Sequence, residues 1–309
     1  MTIKEISKEE YGIINKTPFS AFEKGEFFEL NKTKVDRIVY LTFNDAKTRF
    51  ATCVGITGDT LKLPFSASFS MLSNITLRNK IICYHDAIKA LEEWAQQQSI
   101  KKIIYSLPPI IYDCSTITML INALFVSKYE IEAIEVNYEY YLSDFSDKYE
   151  MSIDPKARQK LRASLSNNLS FMRTDDLALV YNIIKQNRLY RGYPLWMSLD
   201  EIKKTMSIID IDLFLVNTSD GIPIASAIIY KLTNDILRIV YWGSTHEYDH
   251  LRPMNFMAFN IFNYYKQTQY KIIDIGHSTD DSIPNFGLCD FKQSIGCKCS
   301  PKFVMKKSI

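Results

Sequence analysis

Glycine and proline are scarce in this chain, ten of each in 309 residues, which argues against long disordered linkers. The six cysteines, Cys53, Cys83, Cys114, Cys289, Cys297 and Cys299, contain no CxxC pair and no disulfide-like spacing. Buried free thiols in a reducing cytoplasm are therefore expected. Four histidines, His85, His246, His250 and His277, complete no zinc pattern with them, so no metal is expected. No apolar run approaches about 18 residues, and Met1 to Lys24 has no apolar h-region, so neither a membrane span nor a signal peptide is expected. An excess of one charge is also missing. Lys+Arg at 37 against Asp+Glu at 35 gives +2 with no basic tail, which leaves DNA binding without support. There is no Gly-x-Ser-x-Gly elbow and no HExxH, and the Ser66–Ser73 stretch has no glycine with which to cradle phosphate.

What is present is a globular composition, 47% hydrophobic and 23% charged, in a chain long enough for two domains. Nineteen tyrosines and eighteen phenylalanines favour sheets and aromatic-lined grooves. In the first half, Val35–Phe43 and Arg49–Thr57 read as a hairpin, followed by a short strand Thr60–Leu63. His85–Ser99 has helical periodicity, Lys101–Ser106 is a strand stopped by Pro108-Pro109, Thr116–Ser127 is a second helix, and Tyr129–Leu142 is strand material. The second half begins with helices opened by Asp154-Pro155, by Asp175 and by the capping-box variant at Ser198–Glu201. Strands follow at Leu213–Val216, Ile224–Lys231 and Ile236–Gly243, then a helix from Pro253 to Gln267 and a strand Lys271–Ile275. The two halves share an element order without a sequence repeat. The expectation is an α+β protein of two mixed sheets flanked by helices, divided as residues 1–150 and 151–309.

Several polar residues in the second half admit both a chemical and a structural reading. Lys156, Arg158, Lys160 and Arg162 make a basic helix, either a solvated face or a rim that attracts an anion. Arg188 and Arg191 suit a bidentate carboxylate or phosphate clamp, or surface ion pairs. At the end of the strand Ile236–Gly243, Tyr241 and Trp242 point to opposite faces, so one lines a groove and the other a core. His246 and His250 are four apart but lack any metal motif.

Strand, hairpin, strand, strand, helix, strand over Leu213–Gly276 is the element order of the acyl-CoA N-acyltransferase (GNAT) core. Asn187-Arg188 with Gly192-Tyr193-Pro194, the hairpin Asp220–Ala227, and Asp274-Ile275-Gly276 leading to Asn285-Phe286-Gly287-Leu288-Cys289-Asp290-Phe291-Lys292 and Gly296 resemble the second domain of FemAB/FemX-type proteins. Ile295 stands where their closing signature has a second Phe, and Cys289-Asp290 replaces the common His-Arg pair. The Arg/Gln-x-x-Gly-x-Gly/Ala loop of ordinary GNAT enzymes is absent from both halves.

The resemblance covers roughly residues 155–298 and implies a tandem GNAT-like protein. It would move an acyl group from a CoA thioester, acetyl-CoA by default, to an amine acceptor such as an envelope, sugar or peptide precursor. Aminoacyl-tRNA is the second donor implied, and a non-catalytic binding protein that kept the fold is the third reading. Lys292 would stabilise the oxyanion, Asp274 would orient or deprotonate the acceptor amine, and Tyr241 would act beside them. Ser244, His246, Arg252 and Asn255 would hold the donor. Arg188, Arg191 and Asn285 would hold the acceptor.

Overall fold

The computed structural model describes residues 1–309, which form two compact units. The first comprises Met1–Val136, Thr279–Ile283 and Ser300–Ile309; the second comprises Asn137–Ser278 and Pro284–Cys299. The first division therefore falls between Val136 and Asn137, where the sequence suggested residue 150, and all but the first two residues of the last strand belong to the first unit.

In the first unit the chain runs β1 (Thr2–Ile6), α1 (Lys8–Ile14), α2 (Gly25–Asn31), β2 (Arg37–Asn44), β3 (Thr48–Thr57), β4 (Thr60–Leu63) and the short β5 (Ser73–Asn74). It continues through α3 (Ile81–Gln97), β6 (Lys102–Ser106), α4 (Cys114–Val126) and the start of β7 (Glu130–Tyr141). The segment 1–30 reads as short polar pieces in sequence yet holds a strand and two helices. The Ser7/Glu10 capping box starts α1, and Tyr11 packs against Phe28 and Tyr40. Strands β1 to β4 are antiparallel neighbours, and β4 pairs in parallel with β6 across the α3 connection. On the far side of β6 lies the C-terminal strand β15 (Lys298–Ser308), antiparallel to it. Leu91 and Ala95 of α3 and Leu120 and Leu124 of α4 fill the core against Leu41, Val54, Leu61 and Ile103.

The second unit repeats this plan. It contains α5 (Tyr149–Ser152), α6 (Pro155–Ser166), β8 (Ser170–Thr174), α7 (Leu177–Arg191), α8 (Leu199–Met206), β9 (Ile211–Asn217), β10 (Pro223–Lys231), β11 (Ile236–Ser244), α9 (Pro253–Tyr265) and β12 (Ile272–His277). The hairpin of β13 (Thr279–Asp280) and β14 (Ile283–Pro284), whose residues 279–283 belong to the first unit, precedes α10 (Phe286–Ser294) in the chain. Strands β8 to β11 are antiparallel, β11 pairs in parallel with β12, and β12 pairs antiparallel with residues 137–141 of β7. Pro253 at the first position of α9 and Asp154-Pro155 at the start of α6 act as the sequence predicts. Between the helices and the sheet, Tyr140 stacks on Phe262 at 3.8 Å.

The parallel pair is where the copies differ. All four residues of β4 pair with β6, whereas only Ile236–Arg238 of β11 pair with Ile272–Asp274 of β12. Six residues of β11 run on without a neighbour on that edge. The second unit thus has an open fork in its sheet where the first has none. No helix of the protein is long and apolar enough to cross a membrane.

The first unit instead buries a carboxyl group. Glu23, 1% exposed, accepts hydrogen bonds from Ser70 Oγ at 2.9 Å and Met71 N at 3.3 Å, while its Oε2 has no partner. Burial raises its pKa to about 7. Below its ordinary value of 4.5 both states hold the proton. Between 4.5 and about 7 the folded state keeps a proton that the unfolded chain has released, so this contribution to stability is lost as pH rises through about 7. Glu23→Gln should remove that dependence: relative to wild type, its melting temperature should gain more at about pH 8 than at about pH 5. Thermal unfolding at the two pH values checks this, and equal differences at both would contradict it.

Candidate functional site

The fork is closed at its base by charge. Arg238 of β11 and Asp274 of β12 form a buried ion pair through Nη1 and Oδ2. Asp274 Oδ1 also accepts from Asn137 Nδ2 at 2.9 Å and from the Gly276 amide at 2.8 Å. A carboxylate partnered on both oxygens fastens the strands; the amine-binding role expected of Asp274 competes with three donors already in place.

Helix α10 sits in the mouth of the fork. Its N-cap Asn285 accepts from Leu288 N at 3.1 Å, and Phe291 packs edge-on against Trp242 of β11 at 5.8 Å. The next residue, Lys292, is 2% exposed and donates from Nζ to the carbonyls of Gly276 at 2.7 Å and His277 at 3.2 Å, at the end of β12. Gly276 supplies that carbonyl from a left-handed conformation, φ 77°, which suits glycine. The Tyr138 ring lies 5.4 Å from Nζ. Burial lowers the Lys292 pKa from 10.5 to about 7, opposed by Cys297 and Asp274. An ammonium has three donors, and the two carbonyls use two.

On the other face of β11, Tyr241 accepts a hydrogen bond from Met197 N at 3.3 Å and lies 5.6 Å from the Arg188 guanidinium, which Tyr193 flanks at 5.9 Å. Burial raises the Tyr241 pKa, so it stays a phenol. Arg188 forms no ion pair, its Nε is buried without a partner, and burial lowers its pKa. A guanidinium held between two rings with no counter-ion is prepared for an anion. Arg191 is exposed on the same helix end. Asn285 reaches this group as well, donating from Nδ2 to Tyr193 Oη at 2.6 Å, so both ends of its amide are engaged.

The residues expected to hold a donor separate into two groups. Ser244 and His246 belong to a network on Asp249: Ser244 Oγ donates to Oδ1 at 3.2 Å, and His246 Nδ1 lies 3.0 Å from Oδ2 while its ring stacks on Tyr190. Arg252 and Asn255 stand at the N-terminus of α9, where helix amides and dipole favour an anion. There they meet the basic helix. Asn255, Lys156 and Lys160 line a cavity of about 520 Å³ together with Gly287, Asp290 and Phe291 of α10. An adjoining cavity of about 390 Å³ is lined by Arg252, Lys156 and Lys160. Neither cavity includes Lys292; Phe291 is shared by the larger cavity and the fork.

Two residues that sequence reasoning left without a role set this geometry. Arg238 shows nothing in the sequence of its pairing with Asp274. Asn187 donates from Nδ2 to the Ser244 carbonyl at 2.7 Å and ties α7 to the end of β11. Its approach depends on Gly243, because a Cβ there would lie 2.6 Å from Asn187 Cγ.

No family model and no curated protein matches this sequence. Solved structures do match its fold. FemX has a TM-score of 0.72 at 13% identity, covering 100% of this chain and 98% of its own. L-PGS from Bacillus licheniformis has a TM-score of 0.59 at 12% identity, covering 98% and 92%. A tandem GNAT protein from the clavulanic acid biosynthesis pathway has a TM-score of 0.54 at 8% identity, covering 99% and 98%. The chain therefore has a FemX-like tandem GNAT fold, α+β with a large mixed sheet flanked by helices where the sequence suggested two sheets.

Gly243→Ala should destabilise the protein by roughly 1–3 kcal/mol, the usual effect of forcing a methyl group into packed structure. Urea unfolding reads this directly; an unchanged midpoint would mean that Asn187 and β11 are not tightly coupled.

Proposed function

We propose that the second unit is an acyltransferase that moves an acyl group from a CoA thioester to an amine. The observation that carries this reading is the fork between β11 and β12 with the buried Lys292 amine at its edge. The unpaired edge of β11 past Arg238 offers backbone groups to an extended acyl arm. The N-terminus of α9 with Arg252, Asn255, Lys156 and Lys160 suits the donor's phosphates. The FemX-like fold supports the same class of chemistry.

In this reading the acceptor enters as a free amine, with an anionic group held by Arg188 and Arg191. Its nitrogen lone pair attacks the acyl carbon, and the carbonyl oxygen becomes an oxyanion stabilised by the third N–H of the Lys292 ammonium. Collapse breaks the carbon–sulfur bond. The proton shed by nitrogen reaches the thiolate through the Tyr241 hydroxyl, leaving an amide and a free thiol. Asp274 and Asn285 act as positioning residues, the first through β12 and the second through Tyr193 and α10. Alignment and a fixed donor carry the rate more than covalent catalysis does.

The same basic groove favours a second donor of like charge, an aminoacyl-tRNA, whose ester carbonyl would meet the same Lys292. Thermal shift with acetyl-CoA, longer acyl-CoAs and aminoacylated tRNA separates the readings. Stabilisation by a CoA ester supports the first and stabilisation by tRNA alone the second. No shift with any of them favours a binding protein that has kept the fold.

With the donor that stabilises it, Lys292→Met should lower turnover by about 100-fold or more while the fold persists in circular dichroism. Wild-type turnover should fall as pH rises through about 7, because the amine there loses the proton it donates. Lys292→Met retaining full turnover would refute the oxyanion role.

A further inference from the structure

Large apolar side chains of the second unit stand open to solvent between α7 and α8 and at the start of α10. Trp196 is 82% exposed and Leu189 81%, both in the segment that ends α7 and leads to α8. Phe286, the first residue of α10, is 74% exposed. The Asn285–Tyr193 hydrogen bond joins the two stretches, so these side chains share one edge with the half-exposed Tyr190 and Tyr193. Large apolar groups left this open in a soluble fold mark a surface that meets something.

Charge indicates what it meets. From Leu177 to Ser198 the chain carries Lys185, Arg188 and Arg191 and no acidic residue. Helix α6, which shares the larger cavity with α10, has four basic residues and no acidic one. Lys156, Lys160 and Arg191 form no ion pair; Asp154 and Asp290 line the same cavity as the two lysines, and the α7 end with Arg188 and Arg191 carries no acidic residue. Tryptophan and tyrosine beside arginine suit the headgroup boundary of a bilayer, and leucine and phenylalanine partition into the acyl chains beneath it. Single-stranded RNA also uses cations and rings, but it binds by stacking on aromatic faces. Leu189, as open as Trp196, has no such face.

We infer that the edge formed by Leu189, Tyr190, Arg191, Tyr193, Trp196 and Phe286 rests on an anionic lipid surface and holds the second unit there peripherally. Arg191 and Tyr193 of this edge also have roles in the acyl-transfer reading, whereas Leu189 and Trp196 have none, so substitutions at these two test the docking separately.

The test is co-sedimentation of the full chain with vesicles of phosphatidylcholine alone or mixed with phosphatidylglycerol, together with tryptophan fluorescence. Trp94 is buried and Trp242 packs on Phe291, so a blue shift on vesicle addition reports Trp196. Binding should require the anionic lipid, weaken with salt, and fall by about tenfold or more in the Leu189→Ser/Trp196→Ser variant. Arg191→Glu should weaken it as well. Absence of binding to the anionic vesicles overturns the inference, as does equal binding by the double variant. Binding of a single-stranded RNA oligonucleotide that the same substitutions abolish, with the vesicles ignored, would assign the edge to nucleic acid instead.

Discussion

Everything distinctive in the second unit depends on where β11 and β12 part company. Three residue pairs hold the strands together, and the last is Arg238 opposite Asp274, an ion pair taken out of water. Such a pair adds little net stability over apolar packing, but losing one partner strands the other charge at a cost of about 3–5 kcal/mol. Asp274 also fixes Asn137 and the Gly276 amide, so the base of the fork is pinned from three directions. Past that point the strands diverge, α10 enters the gap, and Lys292 rests on the carbonyls at the end of β12. A buried amine fixed on two carbonyls has its position set by backbone, which keeps its remaining donor in one direction.

The two units show how one plan gives different interiors. In the first, β4 is four residues long and fully paired, so no edge is left for a ligand. Among its buried polar groups is Glu23, which Ser70 Oγ and the Met71 amide hold by hydrogen bonds. In the second, an extra six residues of strand create an unpaired edge, and the charges gather at its base. The difference is one of strand length rather than of topology.

Periodic segments were legible in the sequence. The strands from Val35 to Leu63, the helices of both halves and the prolines opening α6 and α9 follow from local patterns, with ends shifted by a few residues. Strand β1, helices α1 and α2, strand β8 and strand β15 were not legible. Each is short or rich in charge, and β15 carries Pro301 among four lysines and two serines, so its strand state comes from distant partners. The candidate site was partly legible. The Asn285-to-Lys292 motif drew attention to a lysine that proves buried, and Arg188 proves to lack a counter-ion. Pairing of Arg238 with Asp274, of Asn187 with Ser244, and of the basic helix with Arg252 is tertiary, and no local spacing encodes it.

Strand β15 also bears on the order in which the molecule can be made. It lies beside β6 inside the first unit's sheet, although about two hundred residues of chain separate them. A ribosome releases β1 to α4 long before it reaches Lys298, so the earliest-synthesised unit waits with an open sheet edge while the later one acquires nearly all of its residues. N-terminal domains usually fold first during synthesis. Here the first unit's sheet is completed only by a strand made last, which leaves the edge of β6 without that neighbour until residue 308 arrives.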